Sequence, residues 1–76
     1  MKEKIIESLG LTRPEFDFTE SESFIEDGML DSFDIVNLIS YLDDAFNISI
    51  DGDEIVPENF MSILTIENML KKYVEL

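Results

Sequence analysis

The stretch DSFDIVNLISYLDDAFNI, residues 31–48, decides the fold. An α-helix turns by about 100° per residue, so residues at similar angles share one face of the helix. One set of apolar residues lies within about 60° of Ile35 and predicts a continuous buried stripe. Its members are Ile35, Leu38, Ile39, Leu42 and Phe46. Phe33 and Val36 are apolar residues outside that stripe, so we expect them to face the solvent.

Three further segments have helical character. Residues 2–9 predict a short first helix, and Gly10 follows where a left-handed C-terminal cap would be placed. Pro57 permits only a short helical turn, because proline is tolerated in the first turn of a helix and not in its interior. A last helix is predicted over residues 63–74. Residues 11–30 form a long connection that several phenylalanines would hold in place.

Together these segments predict an all-α fold. It is a small bundle of three main helices plus one short helix, with a long loop between the first and second helices. The chain has 76 residues, which is the size of one small domain, so we expect residues 1–76 to form a single domain.

The chain is strongly acidic, with 18 Asp and Glu against 5 Lys and Arg and a net charge of −13. This charge repels nucleic acid and anionic membranes and attracts basic protein surfaces. We therefore expect basic protein partners, no nucleic-acid binding and no membrane insertion. A surface that only keeps the protein in solution explains the charge equally well. No apolar run is long enough for a signal peptide or a membrane span, which favours a cytoplasmic protein.

The residue types exclude most catalytic and metal chemistry. The chain has no cysteine and no histidine, so it cannot supply a thiolate nucleophile, a zinc site or an imidazole base. A calcium loop of the EF-hand type that began at Asp51 would fail. It would have Ile55, Val56 and Ser62 where an oxygen ligand, a glycine and a glutamate are needed. We therefore predict neither enzyme activity nor a metal site.

Ser32 is the candidate functional residue, as a side chain that another enzyme modifies. The structural alternative is a plain helix start, because Asp31 and Ser32 are both residues that helix N-termini prefer. Phe33 and Val36 lie beside the hydroxyl, and carboxylates surround them. A hydroxyl, an apolar patch and a rim of acids form a docking surface for a modifying enzyme. A phosphodiester on Ser32 would lie at the positive end of the helix.

The sequence resembles an acyl carrier protein of the phosphopantetheine-attachment type. The resemblance rests on Asp-Ser at residues 31–32, the DGMLDS turn, the helix that follows, the short Pro57 segment and the terminal TIENMLKKY helix. It implies that Ser32 receives 4′-phosphopantetheine from coenzyme A through a separate transferase. The thiol of that arm would then carry acyl groups as thioesters between enzymes. The resemblance also implies a monomeric, non-catalytic protein.

A partner surface on the second helix follows from the same resemblance. The residues that it assigns to this surface are Asp31, Phe33, Asp34, Val36, Asp43 and Asp44. The implied partners are a phosphopantetheinyl transferase, acyl-activating ligases, and synthase or acyltransferase enzymes with basic docking surfaces.

The cargo stays open at this level. The chain departs from the pattern common in carriers of primary fatty-acid synthesis at Leu30, Phe33, Asn37 and Ser40. Leu-Asp-Ser is similar to carriers of dedicated pathways, including D-alanyl and peptidyl carriers, so fatty acyl, aminoacyl and peptidyl cargo all remain. A pocket for an acyl chain between helices would be lined by Ile35, Ile39, Ile63 and Met69. The alternative from a different class is an unmodified acidic adaptor that binds a basic partner through Phe33 and Val36.

Overall fold

Three α-helices and three single turns of 3₁₀-helix make up the structure, a computed structural model that describes residues 1–74. The α-helices are α1 (Lys2–Thr12), α2 (Ser32–Phe46) and α3 (Ile63–Leu70), and the 3₁₀ turns are Phe18–Glu20, Gly52–Glu54 and Pro57–Phe60. The predicted all-α bundle is confirmed, with the short helix at Pro57 present as a 3₁₀ turn. None of the helices in residues 1–74 has the length and apolar character needed to cross a bilayer.

The first helix extends beyond its predicted end. Gly10 was predicted to be a left-handed cap, but α1 continues through it to Thr12, and the Arg13 backbone N–H donates to Leu9 O at 2.9 Å. The Thr12 hydroxyl donates to Ser8 O at 2.9 Å, inside the helix. This side-chain bond and the Arg13 bond supply partners to carbonyls of the last turns, so the helix does not need a glycine cap.

Aromatic side chains hold the long connection between α1 and α2 against the core. Phe18 and Phe24 are buried, and their rings pack edge to face with centres 5.0 Å apart. The Phe24 backbone N–H donates to Met61 O at 2.8 Å. The connection is therefore tied to the segment that precedes α3.

The second helix buries the stripe that its sequence predicts. The four aliphatic members of the stripe are buried and Phe46 is half-buried against them. α1 packs against both α2 and α3. At the far end of α2 the Lys4 ammonium donates to Ala45 O at 3.3 Å and lies 5.5 Å from the centre of the Phe46 ring. Asn47 then ends the helix in the left-handed conformation, with φ 55°.

The last helix is shorter than predicted. Its start is a capping box in which Ser62 and Thr65 exchange hydrogen bonds between side chain and backbone N–H. The predicted end at residue 74 is wrong, since α3 ends at Leu70. Beyond it the chain turns, and the Tyr73 hydroxyl accepts a hydrogen bond from the Asp51 backbone N–H at 3.0 Å.

Candidate functional site

Ser32 is the first residue of α2 and is exposed. The cap of this helix is Asp31, whose carboxylate accepts the Asp34 backbone N–H at 2.9 Å. In return the Asp34 carboxylate accepts the Asp31 backbone N–H at 3.2 Å, which completes a capping box. The helix start is therefore satisfied by two aspartates, and the Ser32 hydroxyl is not the group that caps it.

The turn before Ser32 is firmly anchored. Gly28 has φ +75°, a left-handed conformation that glycine adopts without steric cost. Met29 and Leu30 are buried, and their backbone N–H groups both donate to Phe24 O, at 2.8 and 3.3 Å. Ser32 is therefore presented to the solvent from a rigid base.

An exposed apolar surface lies beside Ser32 on α2. Phe33 is 74% exposed and Val36 is 60% exposed, which confirms that both lie outside the buried stripe. The helix turns by about 100° per residue, so successive fourth residues lie close together on one side. Starting from Ser32, this side includes Val36, Ser40 and Asp44, which all lie within about 120° of Ser32 around the helix axis. Ser40 and Asp44 are exposed as well. We call Phe33, Val36, Ser40 and Asp44 the outer face of α2.

Asp34 does not belong to this outer face, although the family resemblance assigned it to the partner surface. The residue is only 7% exposed, and Arg13 Nη1 lies 2.9 Å from Asp34 Oδ2. It lies about 200° from Ser32 around the helix. Its carboxylate is thus engaged inside the molecule, by the capping box and by the arginine that follows α1.

The other predicted acids differ in their surroundings. Asp31 is exposed beside Ser32, and Asp44 is exposed on the outer face. Asp43 is half-buried, and its carboxylate accepts the Ile50 backbone N–H at 3.0 Å. Asp44 is therefore the acid of α2 best placed to meet a partner.

Hydrogen bonding shifts the titration of Asp31. The Asp34 backbone N–H holds the pKa of the Asp31 carboxyl below its ordinary value of 3.8. The Phe33 backbone N–H, the Asp34 side chain and the charge of Arg13 lower this pKa further, while desolvation opposes them. The carboxylate next to Ser32 is therefore ionised at neutral pH.

Two shallow grooves meet at Ser32. The first has a volume of about 320 Å³ and a mostly aliphatic lining of Ser32, Ile35, Val36, Ile55, Val56 and Pro57. The second, of about 360 Å³, shares Ser32, Ile35 and Pro57 and extends towards Ile25 and Gly28. A hydroxyl at the junction of two open grooves is a position from which a flexible group could lie along the surface.

Sequence reasoning missed the far wall of the first groove. Ile55 and Val56 are an apolar pair directly before Pro57, and this pair was the available signal. The predicted pocket between helices does not take the expected form. Ile39 is buried in the core, while Ile63 and Met69 line separate grooves away from Ser32.

Comparison with known proteins establishes the family. The chain is 39% identical over 74 residues to an acyl carrier protein from Buchnera aphidicola subsp. Baizongia pistaciae (strain Bp), a match that covers 97% of this chain and 90% of that protein. No family model matches the chain, and no solved structure matches it. A small helical bundle with an exposed serine at a helix start is consistent with this match. The chain belongs to the acyl carrier protein family.

Proposed function

We propose that this protein carries acyl groups as thioesters on a 4′-phosphopantetheine arm attached to Ser32. The observation that carries the proposal is the geometry of the α2 start, where Asp31 caps the helix and the neighbouring Ser32 is exposed. A serine that caps nothing and lies on a rigid base is free to be a point of attachment.

The surroundings of Ser32 fit such an arm. The start of an α-helix tolerates an anionic phosphodiester, because its first backbone N–H groups point outward and carry partial positive charge. The aliphatic groove along Ile35 and Ile55 leads away from the hydroxyl, and apolar parts of the arm or its cargo could lie there. An acyl group suits this lining, and an aminoacyl or peptidyl group is the alternative cargo.

Attachment needs a separate transferase. In this step the Ser32 Oγ–H bond breaks and Oγ bonds to the phosphorus that bears the pantetheine of coenzyme A. A P–O bond of the pyrophosphate breaks, and the nucleotide part leaves. The chain has no histidine, and the lowered pKa of the neighbouring Asp31 carboxyl makes that group a weak base, so we assign the proton to a base on the transferase.

Docking of the transferase and of later enzymes would use the outer face of α2. Phe33 and Val36 offer apolar contact next to the hydroxyl, while Asp31 and Asp44 offer charge. An interface of this kind joins an apolar centre to a charged rim. The partners would therefore present a basic surface with an apolar centre.

The test is a mass measurement after incubation with coenzyme A, Mg²⁺ and a promiscuous phosphopantetheinyl transferase. We expect the wild-type protein to gain one arm and Ser32→Ala to gain none. Ser40→Ala is the matched control, because Ser40 is an exposed serine on the same helix, and it should gain one arm. A wild-type protein that gains no mass would favour the unmodified adaptor, and an arm on the Ser32→Ala variant would show that the attachment point is elsewhere.

A further inference from the structure

Arg13 connects the end of α1 to the first turn of α2, where Ser32 lies. Its Nη1 donates to Asp34 Oδ2 at 2.9 Å. The same carboxylate oxygen accepts the Asp31 backbone N–H at 3.2 Å. The Asp34 carboxylate therefore bridges the Arg13 guanidinium and the backbone of Asp31, the residue that precedes Ser32.

The arginine side chain is itself held from other directions. Its Nε donates to Glu15 Oε2 at 3.0 Å, and the guanidinium carbon lies 5.2 Å from the centre of the Phe16 ring. A guanidinium is planar with donors in fixed directions, so these contacts set its orientation. Asp34 is nearly buried, and without the arginine its charge would lack a cation.

Attachment of the arm adds a negative charge to this first turn. Asp31 and Asp34 already place two carboxylates there, and like charges at short range oppose each other. The helix N-terminus favours anions only modestly. The positive charge of Arg13 offsets the negative charge of Asp34. The first turn of α2 therefore repels a phosphodiester less strongly.

We propose that Arg13 is a positioning residue for attachment of the arm. It acts through Asp34, whose negative charge it offsets, so that the transferase can place a phosphodiester on Ser32. This inference rests on the proposed function and extends it to Arg13, which lies 21 positions before Asp34, the residue whose carboxylate it binds.

The test compares transferase kinetics in a double-mutant cycle. Arg13→Met removes the charge and keeps an apolar side chain of similar reach, and Asp34→Asn removes the carboxylate charge and keeps its shape. We expect Arg13→Met to lower kcat/KM for attachment about tenfold. Most of this loss should be recovered in the double variant, because no charge is then left to offset. If Arg13 and Asp34 had a purely structural role, the double variant would be at least as slow as Arg13→Met.

Lys4→Met is the matched control. It also removes one positive charge and one contact between α1 and α2, since Lys4 donates to Ala45 O at 3.3 Å. That contact lies about 20 Å from Ser32 along the axis of α2, at about 1.5 Å per residue. We expect kinetics within about twofold of the wild type.

Two results would overturn the inference. One is an Arg13→Met variant that accepts the arm at the wild-type rate, and the other is a double variant with no recovery. If Arg13→Met does not fold, the comparison is made between Asp34→Asn and the double variant. These two proteins should accept the arm at equal rates. A double variant slower than Asp34→Asn would contradict the inference. A wild-type protein that accepts no arm would end the proposed function along with the inference, so the two failures are distinguishable.

Discussion

Asp31 and Ser32 are neighbours with separate tasks at the start of α2. Asp31 accepts the Asp34 backbone N–H and closes the capping box, while Ser32 lies exposed one position later. Had the serine been the cap, its hydroxyl would be bound to the helix backbone and modification would cost the helix its start. Under the proposed function, this division of tasks would allow attachment at Ser32 without loss of the helix cap.

The titration of Asp31 gives a prediction at this scale. Its pKa is lowered in the folded protein, so the ionised cap stabilises the fold above the ordinary value of 3.8, and this contribution is lost as the pH falls through the lowered value. Asp31→Asn keeps a capping oxygen and removes the charge. We expect its melting temperature to lie below the wild-type value at neutral pH and the two to converge in acid. Melting curves followed by circular dichroism from neutral pH to below pH 3.8 would show this, and parallel curves across that range would count against the role of the charge.

Asp34 shows what local sequence cannot reveal about a single residue. The family resemblance assigned it to a partner surface, but the deciding contact comes from Arg13, 21 residues earlier in the chain. Helical periodicity places a residue on a face and does not identify which distant side chain meets it. The exposure of Phe33 and Val36 could be predicted from the local period alone, and the structure exposes both.

At the scale of elements, α2 separates its buried stripe from its outer face, and one substitution on each side tests this division. Leu42 is fully buried and Val36 is 60% exposed. Leu42→Ala should lower the free energy of unfolding by about 2–5 kcal/mol, because it leaves a cavity in the core. Val36→Ala should change it by less than about 0.5 kcal/mol and should raise KM for the transferase about fivefold.

Urea unfolding of both variants, together with transferase kinetics of Val36→Ala, measures these effects. A destabilised Val36→Ala with unchanged KM would mean that this face packs against the protein and does not dock.

Helix ends were harder to predict than helix faces. The period of α2 is set by its own residues, so its stripe and its length follow from the sequence. The end of α1 depends on bonds such as that from Thr12 to Ser8, and the chain turns after Leu70, where Tyr73 meets Asp51. Contacts of this kind decide where a helix stops, and a local pattern contains little information on them.

At the scale of the whole molecule, we expect the net charge of −13 to attract the basic enzymes that the proposed function requires. Asp44→Lys changes this to −11, since one negative charge is lost and one positive charge is gained. We expect a lower kcat/KM for arm attachment at low salt, with a difference that shrinks as salt screens the interaction over about 8 Å at 0.15 M.

Glu7→Lys is the matched control for Asp44→Lys, because it makes the same change in net charge at an exposed position of α1. It should have the smaller effect if the outer face of α2 is the docking surface. Equal rates for Asp44→Lys and the wild type at low salt would remove electrostatic attraction from the account.

The groove beside Ser32 also belongs to the whole molecule. Its walls come from α2 and from residues 55–57, which are separated in sequence and meet only in the folded chain. Composition and periodicity predicted an apolar core, and the family resemblance implied an attachment serine, but neither could place the second wall. The position of a short irregular segment depends on contacts such as that of Asn59 with Glu54 O at 2.7 Å.

The most direct test of the central claim is the mass of the peptide that contains Ser32, taken from protein purified from its own cells. We predict that a fraction of this peptide carries one 4′-phosphopantetheine arm and that fragmentation places the added mass on Ser32. A peptide found only at its unmodified mass, in protein that purified transferases also fail to modify, would contradict the account.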